Sequence, residues 1–146
     1  MTAAERIAAL EARRTAMQAA EAEARAEQQA ADLESLVELE SLHGFGRIIR
    51  VDLSSWRAGS ATMVAARIPL GSEAVYRRFE QTVARAKKDS GDALAAGTLL
   101  ATACLVYPAD KDLLAATIDA APGILQHVAL QIVTAVQGAA EEQKKG

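Results

Sequence analysis

The chain is poor in aromatics, cysteine, histidine and proline. Trp56, Tyr76, Tyr107, Phe45 and Phe79 are its only aromatic side chains, so large side chains contribute little to any core. A single cysteine, Cys104, excludes an intrachain disulfide framework and any multi-cysteine metal or redox site. The two histidines, His43 and His127, stand far apart, which argues against a histidine-based metal centre. No stretch approaches the uninterrupted apolar run of a membrane span, and the N-terminus lacks the apolar core of a signal peptide. A soluble protein of the cytoplasm is therefore expected. An excess of positive charge is missing too: the formal net charge is -3, against the basic face that a general nucleic-acid binder needs.

What is abundant is alanine, about a quarter of the 146 residues. Alanine loses no side-chain entropy on entering a helix, so the composition favours helices while each alanine buries little surface. The acids are concentrated at the start. Residues 1–42 carry nine acids against four arginines and contain neither glycine nor proline. The pattern predicts one long helix, an arm preceding the folded region. Ile7, Leu10, Met17 and Ala24 hold a heptad-like spacing, but Arg14, Glu21 and Gln28 interrupt it. Such a helix either projects into solvent or pairs with a partner or a second copy as a coiled coil.

His43-Gly44-Phe45-Gly46 ends the arm. From Arg47 to Leu53 the period is two, with Ile49, Val51 and Leu53 on one face and Arg50 and Asp52 on the other. Ser54 to Ser60 reads as a turn holding Trp56, and Ala61 to Ile68 returns as the second strand before Pro69. A two-stranded hairpin is marginal alone, so it must pack on helices or gain a strand, and it offers a docking edge. Ser72 is the expected cap of a helix carrying Val75, Phe79 and Val83. A second helix spans Ala93 to Val106, with Leu94, Leu99, Ala103 and Val106 inward. Asp110 caps a third through Ile118. The last helix, from Ile124, carries a wide apolar stripe through Val136 and ends at Gly138. The predicted fold is α+β and mainly helical: a helical arm over 1–42, a hairpin-plus-four-helix domain over 44–138, and a mobile charged tail over 139–146.

No catalytic constellation assembles. Gly44-Phe45-Gly46 lacks the third glycine, the lysine and the preceding strand of a phosphate loop, and reads as a helix-to-strand joint. Cys104, within an apolar helix, acts as a small hydrophobe. His127 lies beside an apolar stripe as a structural histidine, and Asp110 with Asp112 is a helix N-terminus rich in acids. The basic cluster from Arg77 to Lys88 is interleaved with Glu73, Glu80, Asp89 and Asp92, so it reads as a solvated helix face before it reads as a nucleic-acid site. No enzymatic activity and no cofactor are expected.

The order of short signatures is more specific. Met63-Val64-Ala65-Ala66-Arg67-Ile68-Pro69 leads into Val75-Tyr76-Arg77-Arg78-Phe79, and Cys104-Leu105-Val106-Tyr107-Pro108 is followed by Leu113-Leu114 and Pro122-Gly123-Ile124-Leu125. From about Gly46 to Gly138 this resembles the small tail assembly chaperones of long-tailed bacteriophages and prophage elements. The acidic, alanine-rich first helix has no counterpart in that resemblance. The resemblance implies a cytoplasmic, non-enzymatic protein of the bacterial host that binds the helix-rich tape measure protein and assists assembly of tail tube subunits around it. The alternative is a structural subunit of the virion whose N-terminal helix links neighbouring copies into a homo-oligomer. The expected partner-binding residues are Ile49, Val51 and Trp56 on the hairpin, Tyr76 on the helix that follows, and Tyr107 at the helix junction; Phe79 is expected in the core.

Overall fold

A computed structural model describes residues 1–53 and 61–145. Trp56 and the expected hairpin turn lie outside the described residues. The first helix, α1 (Ala3–His43), begins with a capping box in which the Thr2 hydroxyl accepts from the Glu5 N–H and the Glu5 carboxylate accepts from the Thr2 N–H. It ends where Gly44 takes φ = 101°, a backbone geometry that glycine adopts without a Cβ penalty. Two strands follow, β1 (Ile48–Asp52) and β2 (Met63–Arg67), paired antiparallel with Val51 opposite Val64 and Ile49 opposite Ala66.

Four more helices complete the chain: α2 (Ala74–Arg85), α3 (Asp92–Cys104), α4 (Lys111–Ala120) and α5 (Ile124–Lys145). Between α3 and α4 lies a third strand, β3 (Leu105–Tyr107), which the sequence pattern had merged into the helix before Pro108. It pairs antiparallel with β2, giving the sheet order β1-β2-β3 with a register irregularity between Ala65 and Ala66. The hairpin therefore gains its third strand from its own chain, on the β2 side, which leaves β1 and β3 as the edges of the sheet. The mainly helical α+β architecture stands, enlarged by one strand.

Side-chain alternation along β2 explains why this strand is apolar at nearly every position. Val64 and Ala66 face the main core with Ile49, Val51 and Leu53, against Leu100 and Cys104 of α3 and Ile124, Val128 and Ile132 of α5. Met63 and Ala65 point to the opposite face and are also fully buried. That second face is covered by α1, which contacts both β1 and β2. The molecule thus has three layers: the later half of α1, the sheet, and the α3–α5 pair. From Gln28 onward α1 is an integral layer, so the arm ends earlier than the expected boundary at residue 42.

Several element details depart from expectation. Glu73, not Ser72, occupies the N-cap of α2. Its carboxylate accepts from the Leu70 N–H at 3.0 Å and forms a 2.9 Å ion pair with Arg67, tying the end of β2 to the helix start. Those two partners, the backbone amide first, hold the Glu73 carboxyl below its ordinary range despite partial burial. Asp110 caps α4 as predicted, accepting from the N–H groups of Asp112 and Leu113. The stripe of α5 is also as predicted, with Ile124, Val128, Ala129, Ile132 and Val136 buried. However, α5 runs through Gly138 to Lys145 instead of stopping there, so the expected tail begins as helix.

Candidate partner-binding groove

The α2 sequence places Val75, Phe79 and Thr82 on one stripe at i, i+4 and i+7. Tyr76, one residue round the helix, turns into the core, and its ring packs against Phe79 at a centroid distance of 5.9 Å. Opposite this stripe, α3 presents Ala96, Leu99, Leu100 and Ala103. Because two of those four are alanines, the helices meet at the base without filling the space above it. The result is an open apolar groove of about 250 Å³, walled by Val75, Phe79, Leu99 and Leu100 and edged by Arg78 and Thr82.

Leu99 is the exposed wall of this groove, at 71% of its accessible surface. Leu94, five residues earlier on α3, is also largely exposed. Arg78 and Arg85 lie along the α2 rim, exposed and without an ion pair among the described residues. Lys87 and Lys88 follow directly after α2. An apolar trough with an uncompensated cationic rim suits an amphipathic helix that carries acids beside its apolar stripe.

Of the residues expected to bind a partner, Trp56 lies outside the described residues and the other four are placed away from this groove. Ile49 and Val51 are buried against α5 and the rest of the core, and Tyr76 is buried beneath α2. They are apolar at the period of their own elements, and the domain itself covers them. Burial, with a smaller contribution from the charge of Glu80, raises the Tyr76 phenol above its usual range. Tyr107 is half-buried and its hydroxyl donates to Asp32 on α1, which makes it part of the attachment of α1. Phe79, expected in the core, is packed against it only in part and also lines the groove. Leu99 and Leu94, expected inward, point out; Ala96, Gly97, Leu100, Ala101 and Cys104 form the buried face of α3.

The attachment of α1 is the most polar buried feature. Asp32 retains 1% of its surface. Its Oδ2 accepts from the Thr62 N–H at 2.9 Å and from the Thr62 hydroxyl, while Oδ1 accepts from Tyr107 and, at 2.9 Å, from Gln28. Burial alone would raise this carboxyl, but the four hydrogen bonds, led by the Thr62 hydroxyl, outweigh it and hold the group below the ordinary carboxylate range. Burial first, and the bonded Asp32 charge second, raise the Tyr107 phenol in turn. In the sequence Asp32 differs from the other acids of this polar helix only in being an aspartate among glutamates, which does not mark it as buried.

Cys104 is fully buried, and that burial raises its thiol above the usual range, away from thiolate reactivity. His127 Nε2 accepts a 2.8 Å hydrogen bond from the Gln131 amide nitrogen one turn along α5. Among the described residues no group of three histidine, cysteine or carboxylate side chains could hold a metal ion, and no single helix is long and apolar enough to cross a membrane. Comparison of the chain with protein-family models, with curated proteins and with solved structures returns no match.

Proposed function

We propose that this chain is a non-enzymatic assembly factor that receives an amphipathic helix of another protein in the groove between α2 and α3. The observation that carries this reading is the exposed Leu99, set across from Val75 and Phe79 and beside Arg78, which has no ion pair among the described residues. A bound helix would cover Leu99 with apolar side chains spaced one turn apart and meet Arg78 and Arg85 with carboxylates. The resemblance of residues 46–138 to phage tail assembly chaperones supplies a partner of that kind, the long helical tape measure protein. Holding such a protein in solution while tube subunits assemble requires contacts that release. A shallow groove contributes modest affinity and meets that need better than an enclosed pocket.

The test is purification of the tagged full-length chain from its native host, as wild type and as Leu99→Asp. The substitution lies on an exposed side chain, so the thermal melt should be unchanged. Wild type is expected to bring down the tape measure protein, the variant to lose it, and finished particles to lack the chain. Many copies of the chain in finished particles, in fixed ratio to tail proteins, would instead make it a structural subunit.

A further inference from the structure

Every side chain of α1 from Ala3 to Glu27 is exposed, a helical length of about 37 Å at 1.5 Å per residue. Along it Ile7, Leu10, Arg14, Met17, Glu21 and Ala24 alternate in spacings of three and four residues, the seam of a two-stranded coiled coil. Ile7, Leu10 and Met17 are 56%, 62% and 63% exposed. At about 100° per residue this seam lies on the same side of α1 as Asp32, the side that docks on the sheet further along. The docking face therefore continues past the domain, and none of the described residues covers it.

We propose that a second copy of α1, running antiparallel, covers this face. The orientation follows from the two charges that break the seam, Arg14 and Glu21, which flank Met17 with opposite signs. In a parallel pair equal positions meet, so Arg14 would face Arg14 and Glu21 would face Glu21 across an apolar seam. In an antiparallel pair centred between Arg14 and Met17, Ile7 faces Ala24, Leu10 faces Glu21, and Arg14 faces Met17 of the second copy. Each Arg14 then lies one turn from the other copy's Glu21, within reach of an ion pair. The stems of both charged side chains cover apolar neighbours. Arg6 and Glu27 fall at flanking positions that also meet in this arrangement.

The overlap of residues 7–24 stops short of Gln28, where the domain begins to cover α1. The first turn of the second copy would run beside Arg25 and Gln29, which with Asp52 and Thr62 wall an open concavity of about 240 Å³. This pairing is independent of the α2–α3 groove.

Sedimentation equilibrium of the full chain should show a reversible dimer. Arg14→Glu or Glu21→Arg alone should weaken it about five- to tenfold, and the two together should restore it, since each alone sets like charges one turn apart. In oxidative cross-linking, Leu10→Cys mixed with Glu21→Cys should give a disulfide-linked dimer, while Leu10→Cys alone should not. A monomer at 100 µM, efficient linkage by Leu10→Cys alone, or a dimer indifferent to the charge reversals would each overturn the proposal.

Discussion

Asp32 anchors the first helix with a single carboxylate. Three of its four hydrogen bonds join α1 to Thr62 just before β2 and to Tyr107 on β3, and the fourth, from Gln28, lies within α1. Asp32→Ala would leave the Thr62 amide and two hydroxyls buried without their acceptor. A loss of about 2–4 kcal/mol in urea unfolding is expected. Asp32→Asn keeps the volume but turns one acceptor into a donor facing Tyr107 or Thr62, so it should cost less than alanine yet remain destabilising. Because the carboxyl titrates lower in the folded protein than in the unfolded chain, its contribution is complete above the unfolded value near pH ~4. It is lost as pH falls through the lower folded value. Stability measured between pH 6 and about pH 2 should fall less steeply in Asp32→Asn than in wild type. None of this was legible beforehand, because a hydrophobic pattern identifies apolar faces and is silent about a buried acid. Tyr107 stood out as one of few aromatics, but its partner is 75 residues away in the chain, beyond any local signal.

At the scale of elements, the two glycines that lie within helices, Gly97 and Gly138, behave oppositely. A Cβ on Gly97 would meet the Gln126 Oε1 at 3.1 Å and the Ala129 Cβ at 3.5 Å, so α3 and α5 approach closely there. Gly97→Ala should change stability by under about 1 kcal/mol, the helix-propensity gain offsetting the shift of a Gln126 amide that already bonds Thr98. Gly97→Val should cost about 2–3 kcal/mol through overpacking. At Gly138 a Cβ meets nothing, and Gly138→Ala should stabilise by about 0.5–1 kcal/mol. Thermal melts of the three variants check all of these. The same glycine explains why the end of α5 was misplaced. One glycine costs a helix only about 1 kcal/mol, and the alanines and glutamates after it favour continuation. In α3 the difficulty was different: Ala-Leu-Ala-Ala-Gly-Thr-Leu-Leu-Ala is apolar all round, so no period marks which leucine faces in. β3 is three residues long and abuts a helix of similar apolarity, leaving Pro108 as the only punctuation. By contrast β1, α4 and α5 were legible because alternation, an aspartate cap and a long stripe are each strong local signals.

For the whole molecule, the three-layer arrangement dictates where the chain can be shortened. Removing residues 1–27 takes away only side chains that are exposed in the monomer, and at concentrations low enough to dissociate the dimer the melting temperature should hold within about 2 °C. Removing residues 1–43 strips one face of the sheet, uncovers Met63 and Ala65, and deletes Asp32. That truncation should melt at least about 10 °C lower or lose cooperativity altogether. Calorimetry of the two truncations separates an arm that ends at Gln28 from one that ends at Leu42. The mainly helical architecture and the existence of the arm were legible in the sequence; the layer made by its second half was not, since only one of its side chains is fully buried and that one is charged.

The division of α1 into a bare half and a docked half also sets two clocks within one continuous helix. In dilute solution, where the chain is monomeric, amides of residues 7–27 can exchange with deuterium by fraying of a helix supported by little beyond propensity and a capping box. Those from Asp32 to Leu39 must wait for the layer to detach from the sheet. Isotope uptake along α1 should therefore show a step near Gln28, although nothing in the hydrogen-bonding pattern of the helix changes there.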